Sequence, residues 1–435
     1  MHQWGVIEPL LPPSLRDASD PGLRALLSLL GNSRFLVEHF LNQDDPSRAL
    51  AHLTLSQYLT RPKGKSRMID ELTTLFDSDF DKTLPSAQRL IRHYKYPEMA
   101  RIAARDLSGL GAFDEIGLEF SDLASTCSEF ALHAALALLV DEKWVGPKDK
   151  IPPFTVIGLG KMGGDDLNFS SDIDILFVHG QAEGDEADRR EVFQFFCQVA
   201  ELVTRIIQER TADGFGFRVD LDLRPEGKSG VIVNSLDSMA TYYEIAGASW
   251  ERTALIKAKP VAGSETLGRE LISSVEPFVY PKYIDASAIS DLKKMKDKIN
   301  AELMNSSRTK GYHVKLGSGG IREIEFFASA FQLIYGGKEL RLRERNTLKT
   351  LAVLKDLKLV PAEDIEKLSQ AYIFLRRIEN RLQIEEERQL HTLPKDPKEI
   401  TALARRTGYA DTEKFLKELE EKTAFVSGCF EKLAG

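Results

Sequence analysis

Between residues 154 and 225 the hydrophobic pattern changes its period, and that change most limits how the chain can fold. Before it, "DPGLRALLSLL" (20–30) and "GLEFSDLASTCSEFALHAALALLVDEKW" (117–144) repeat their apolar residues every three or four positions, as the buried face of a helix does. Asp20 is placed to cap the first helix, with Pro21 in its first turn. After the break "GPKDKIPP" (146–153), "FTVIGLG" (154–160) and "DIDILFV" (172–178) read as short strands, and "EADRREVFQFFCQVAELVTRIIQER" (186–210) as a helix. "FGFRVDLDLRP" (215–225) reads as a third strand. There Phe215, Phe217, Val219, Leu221 and Leu223 take one face, and Arg218, Asp220, Asp222 and Arg224 the other. That is the alternation of a half-buried antiparallel strand. From about 275 the helical period returns, through "IREIEFFASAFQLIYGG", "EDIEKLSQAYIFLRRIENRLQIEEERQL" and "DTEKFLKELEEKTAFVSGCFEKLAG".

The expected fold class is α+β, with a mixed centre between two helical regions. A chain of 435 residues is long for one core. The breaks divide it into an N-terminal helical region (1–147), a central core (148–274) and a C-terminal helical bundle (275–435). The formal net charge of −8 and the want of a basic stripe argue against nucleic acid as partner. "RPKGKSR" (61–67) is expected to be a solvated loop or helix end. No run approaches the ~20 apolar residues that span a bilayer, and the first residues lack a signal-peptide pattern. Cys127, Cys197 and Cys429 are odd in number and far apart, which points away from a disulfide framework and toward the cytoplasm.

"VIGLGKMGG" holds Gly158-x-Gly160-x-x-Gly163 directly after a strand, the spelling of a dinucleotide-binding turn. A crossover helix must follow such a turn and needs a dozen or more residues. The next strand starts too soon, and the linking "DDLNFSS" is too short and polar, so that reading is rejected.

The chemistry lies in the carboxylates. Asp172 and Asp174, at i and i+2 of a strand, project from one face about 6.6 Å apart along the chain. Ile173, Ile175 and Phe177 anchor the opposite face. Asp220 on the third strand is the candidate third ligand, with Asp222 in reserve. Carboxylates without His or Cys nearby suit Mg2+ or Mn2+, and the spacing suits two ions of the kind that serve phosphoryl displacement. Gly163 and Gly164 allow backbone to approach a phosphate, and Ser170 and Ser171 add hydroxyl donors. A bare Asp-x-Asp is more often a solvated strand edge. The glycines, serines and third carboxylate together match the pattern of the nucleotidyltransferase superfamily that includes DNA polymerase β.

"GLGKMGGDDLNFSSDIDILF" also resembles the signature of the bifunctional glutamine synthetase adenylyltransferase/adenylyl-removing enzyme family. The likeness continues in "YPEMARIAARDL", "GFRVDLDLRPEGKSG", "YYEIAGASWERTALIKAKPVAG", "KLGSGGIREIEFFASAFQLIYGG" and "FLRRIENRLQIEEERQLHTLP", and so covers roughly residues 95 to 395. It implies a polymerase-β-like core with a mainly antiparallel or mixed sheet between helical regions. Members of the family carry two nucleotidyltransferase domains and are about twice as long. "SWERTALIKAK" and "KLGSGGIREIEF" look like the first, adenylyl-removing half, so this chain is expected to be either part of a longer protein or a split gene product. The implied reaction is phosphorolysis, in which inorganic phosphate attacks AMP carried on a tyrosine of glutamine synthetase and yields ADP. Adenylyl transfer from ATP to a protein tyrosine and a non-catalytic module binding the PII signal protein are the alternatives. The resemblance implies Asp172, Asp174 and Asp220 as metal ligands, and Arg224, Lys228, Arg252 and Lys257 as candidate phosphate contacts. Asp222 stands where the family spelling Val-Asp-x-Arg-Leu-Arg-Pro has its first arginine. Arg322 is read as structural, and His179 and His391 as structural or exposed.

Overall fold

The computed structural model describes residues 20–41, 57–144, 150–283, 286–306 and 311–433, and its first helix starts where capping chemistry puts it. Asp20 Oδ1 accepts the N–H groups of Gly22 (2.7 Å) and Leu23 (3.2 Å). Helices α1 (Pro21–Asn32), α2 (Arg34–Leu41), α3 (Lys65–Asp79), α4 (Leu84–Ser108) and α5 (Phe113–Lys143) come first. The sheet region runs β1 (Phe154–Gly158), the single turn α6 (Gly160–Gly163), β2 (Ile173–His179), α7 (Glu186–Gln208) and β3 (Val219–Asp220). It continues through β4 (Val233–Ser235), α8 (Leu236–Ile245), α9 (Ser249–Leu255), β5 (Lys259–Gly263) and α10 (Glu265–Val279). Then follow α11 (Ala286–Ser306), α12 (Ile321–Tyr335), α13 (Thr347–Asp356), α14 (Ala362–Gln383), α15 (Pro397–Arg406) and α16 (Thr412–Lys432). Cys127, Cys197 and Cys429 are free thiols.

The chain packs as two compact units. One lies within residues 1–31, 36–167 and 171–276, the other within 32–35, 168–170 and 277–435. The expected break at 147 falls outside the described residues. Helices α4 and α5 belong to the same unit as the sheet, with α5 packed on α7 and β5.

Charged side chains buried between α4 and α5 explain the "YPEMARIAARDL" spelling. Arg101 pairs with Glu98 (2.9 Å) and Glu119 (2.7 Å), and Arg105 pairs with Glu119 (2.6 Å) and Glu115 (2.9 Å). Lys63 joins them through Glu98 (2.6 Å) and Glu71 (2.8 Å). Lys63 is only 2% exposed, the exception in a segment that is otherwise mostly exposed and leads into the start of α3 at Lys65, as a solvated loop or helix end should. Burial of so many charges is tolerable because each has an opposite partner at hydrogen-bond range.

Two expectations need correction. Helix α5 is long and apolar enough by composition to cross a membrane, although no such run was anticipated. Its buried residues extend from Ile116 to Ala135, and it packs against α3, α4, α7 and β5, as the core helix of this unit. The third strand is shorter than its alternation implies and runs parallel, not antiparallel, to its neighbour. Only Val219 and Asp220 form β3, paired with Ile173 and Asp174. Phe215 and Phe217 are buried but surround Lys95 of α4 instead of a strand partner.

The sheet is mixed, in the order β3-β2-β1-β5, with β4 also on β2. β1 is antiparallel to β2 and β5, whereas β3 and β4 are parallel to β2. A dinucleotide fold would need β1 and β2 parallel across a full helix; they are antiparallel and joined through one helical turn. In β2 every residue but Asp174 is buried, so the strand is held on both faces around a single accessible carboxylate.

In the second unit α14 ends at Gln383, short of the predicted Leu390. Its side chains grip residues 168–170. Arg376 Nε donates to Asn168 Oδ1 (2.9 Å), Asn380 Oδ1 accepts the Phe169 N–H (3.3 Å), and Gln383 Oε1 accepts the Ser170 N–H (3.1 Å). Asn168 Nδ2 also donates to Glu379.

Candidate functional site

The register of β2 and β3 sets Asp174 directly beside Asp220. In-register neighbours on parallel strands project to the same side, with the strands about 4.8 Å apart. Asp172 shares that face by the two-residue period. The backbone register thus brings Asp174 and Asp220 together, with Asp172 just ahead of β2.

The turn after β1 completes the floor. Leu159 donates its N–H to Asp174 O (2.8 Å). Gly160 has φ +52°, and a Cβ there would overlap Asp174 Oδ2 outright and lie 3.1 Å from its Cγ. The Asp174 carboxylate therefore rests on a stretch of backbone that only glycine leaves open. Gly160 was visible in the glycine motif but was not assigned to the site; its signal is the need for a left-handed turn where a strand ends.

Asp172 and Asp220 have named partners. Asp172 Oδ1 forms an ion pair with Arg218 Nε at 2.7 Å, both one-third exposed. Asp220 Oδ1 accepts the Asp222 N–H at 2.7 Å. Asp222 itself lies past the end of the strand and pairs with Lys228 at 3.3 Å. Among the described residues no three Asp, Glu, His or Cys side chains converge closely enough to hold one metal ion. Carboxylate-only donors on one face still suit a hard divalent cation, with Asp174 and Asp220 as the adjacent pair. Arg218, which no sequence pattern singled out, is the residue that occupies Asp172.

The remaining predicted contacts are placed differently from one another. A Cβ on Gly163 would overlap Lys257 O and lie 2.5 Å from Gly158 O, so this glycine lets α6 pack on neighbouring backbone. The Gly164 N–H closes the same turn on Gly160 O (3.1 Å). Ser170 is buried against α14, while Ser171 is half-buried. Arg224 donates to three carbonyls of its own loop, Leu221, Lys228 and Gly230, each at 2.9 Å. Lys228 is 84% exposed, and Arg252 is half-buried on α9. Lys257 Nζ stands 3.9 Å from Asp166 Oδ2, and Lys259 Nζ is 2.5 Å from Asp165 Oδ1. Next to Lys259, Asp165 and Lys65, burial pushes the Asp122 carboxyl up to about 6. His179 is buried with Nδ1 2.7 Å from Gly180 O, and His391 stacks on His313, 2.8 Å from Glu379 Oε1.

Residues 23–273 match the family model described as glutamate-ammonia ligase adenylyltransferase, and residues 293–434 the one described as GlnD PII-uridylyltransferase. Three of the curated relatives are named bifunctional glutamine synthetase adenylyltransferase/adenylyl-removing enzyme. The protein of Thioalkalivibrio sulfidiphilus is 39% identical over 86% of this chain and 39% of its own length. That of Nitrosococcus oceani is 40% identical over 79% and 36%, and that of a Bradyrhizobium species 33% identical over 100% and 44%. The chain thus spans well under half the length of these relatives. The first family match alone takes in more than half of the 435 residues, including β1, β2, β3 and all three aspartates. With that coverage and the mixed sheet that carries the carboxylates, the chain belongs to the glutamate-ammonia ligase adenylyltransferase family.

Proposed function

We propose that this chain is a metal-dependent nucleotidyltransferase that removes AMP from an adenylylated tyrosine of glutamine synthetase. Inorganic phosphate is the acceptor and ADP the product. A phosphate oxygen bonds to the α-phosphorus, the bond from that phosphorus to the tyrosine oxygen breaks, and the phenolate takes a proton from solvent. The observation that carries the reading is the in-register pair Asp174 and Asp220, with the Asp174 carboxylate seated on the Gly160 turn.

Mg2+ or Mn2+, for which Asp174 and Asp220 would be the adjacent ligands with Asp172 nearby, would neutralise charge on the transferring phosphoryl group and on the leaving oxygen. The phenolic pKa of ~10 makes the tyrosine a fair leaving group, so no strong general acid is required of the chain. Asp220, at the edge of the sheet, is assigned to the tyrosine side. In the reverse direction it would serve as base for the tyrosine hydroxyl. Arg218 balances the charge of Asp172. Lys228, exposed beside the loop, offers positive charge to the anionic acceptor and product, and its pairing with Asp222 moderates that charge. Removal is preferred to transfer on the likeness of "SWERTALIKAK" to the first catalytic half of the family. The match of residues 293–434 to a PII-uridylyltransferase model supports a role for the helical unit in sensing the PII signal protein. Three free thiols accord with a reducing cytoplasm.

The test is incubation with adenylylated glutamine synthetase, Mg2+ and labelled orthophosphate. Labelled ADP is the expected product. Pyrophosphate released from ATP with unmodified glutamine synthetase would show transfer instead. Neither product would leave a binding module, and activity untouched by Asp174→Asn and Asp220→Asn would refute the assignment of the site to these carboxylates.

A further inference from the structure

The segment carrying Asp220 is tied down at its far end by two residues outside it. After β3 the chain makes a tight double turn to Gly230. Arg224 gathers the Leu221, Lys228 and Gly230 carbonyls at 2.9 Å each, and the Gly227 N–H donates to Arg224 O at 2.8 Å. Glu226 sits at the tip with φ +62°, a backbone state that non-glycine residues hold only when the surroundings enforce it. Its N–H donates to Tyr242 Oη at 3.2 Å. Tyr242 in turn donates its hydroxyl proton to the Glu251 carboxylate, whose two oxygens lie 3.2 and 3.1 Å away. Glu251 is 1% exposed, and its Oε2 also accepts the Ala248 N–H at 2.7 Å, which fixes it at the start of α9. Tyr242 rides on α8, which follows directly from β4, and β4 is paired with β2. The anchor thus leads back to the strand that carries Asp174.

We infer that Tyr242 and Glu251 are positioning residues for the reaction, holding the 221–230 turn so that Asp220 stays beside Asp174. This inference rests on the proposed function in assigning Asp220 to the metal; the anchoring itself does not. Asp220 stands on a two-residue strand, whose ladder is too short to fix its end alone, so the turn that follows must be held from elsewhere. Neither residue touches substrate or metal in this account. Tyr242 both accepts from the turn and donates to a buried acid, a task that phenylalanine cannot perform at the same volume.

The experiment compares Tyr242→Phe and Glu251→Gln with the parent chain in three measurements: amide hydrogen exchange across 220–230, Mn2+ affinity, and phosphate-dependent ADP formation. One net hydrogen bond lost corresponds to about a two- to tenfold change. Tyr242→Phe is expected to speed exchange at Glu226 by that factor, to weaken Mn2+ binding severalfold, and to lower turnover more than it raises KM for the adenylylated substrate. Glu251→Gln is expected to show the same direction with a smaller change, since its Oε can still accept from Ala248. Unchanged exchange in both variants would overturn the anchor. Faster exchange with Mn2+ affinity and turnover unaltered would overturn the positioning role. A parent chain that binds no Mn2+ and forms no ADP would refute the proposed function and the positioning role with it, while exchange would still report on the anchor.

Discussion

Replacing Gly160 by alanine separates the carboxylate's seat from the stability of the fold. At φ +52° an L-residue costs about 1–2 kcal/mol relative to glycine. The new methyl group would also fall inside the 3.0 Å that real Cβ atoms keep, against the end of the Asp174 side chain. That end is flexible, so the overlap is relieved by turning the carboxylate away and adds little to the loss of stability. The functional effect is larger. Moving a reacting or ligating group by about 1 Å costs about 100-fold in rate, and the carboxylate must move by roughly that amount. Gly109→Ala is the matched control: the same unit, a similar backbone at φ +70°, and nothing within 4 Å of the added methyl. Urea unfolding of both variants should show a loss of about 1–2 kcal/mol each. Phosphate-dependent ADP formation should fall about 100-fold for Gly160→Ala and stay within twofold of the parent for Gly109→Ala. Activity of Gly160→Ala within threefold of the parent would refute the claim that the turn seats the Asp174 carboxylate.

Three further outcomes follow from the same geometry. Gly163→Ala drives a methyl group into the Lys257 and Gly158 carbonyls, which cannot swing aside; unfolding should show a loss above about 3 kcal/mol. Glu119→Ala strips partners from Arg101 and Arg105, both buried, and should lower stability by about 3–5 kcal/mol, whereas Glu115→Ala, at a 41% exposed partner of Arg105, should lose less than about 1 kcal/mol. The Asp122 carboxyl, raised from 3.8 to about 6 by burial, contributes most below pH 3.8 and loses that contribution as pH rises through 6. Asp122→Asn should therefore match the parent in stability near pH 4 and exceed it by roughly 2–3 kcal/mol at pH 7, read from denaturant curves at the two pH values.

How much of the site could be read before the structure depended on how local each cause was. The shared face of Asp172 and Asp174 follows from a two-residue period, and Ile173, Ile175 and Phe177 are buried opposite them. The Asp20 cap is equally local. The third strand failed because alternation reports a face and not a partner. β3 meets β2 only at Ile173 and Asp174, and β4 takes the same strand at Phe177 to His179. Phe215 and Phe217 keep their alternation and are buried around a helical lysine instead. Asp222 loses the face that a continued strand would give it, because the chain turns at Leu221 and Asp222 pairs with Lys228. Ser170, Gly163 and Arg224 carry internal contacts that spacing does not show: Ser170 meets α14, Gly163 packs on backbone, and Arg224 binds the carbonyls of its own loop.

The amino-acid sequence by itself determined the helical flanks, the shared face of Asp172 and Asp174, the rejection of a dinucleotide fold and the family likeness, since each is written in spacing along the chain. Only the tertiary structure decided that Asp220 stands beside Asp174, that Arg218 holds Asp172, and that Gly160 and Tyr242 support the site. Those facts depend on which distant segments share an edge or a hydrogen bond, and no period along one strand or helix encodes a partner dozens of residues away.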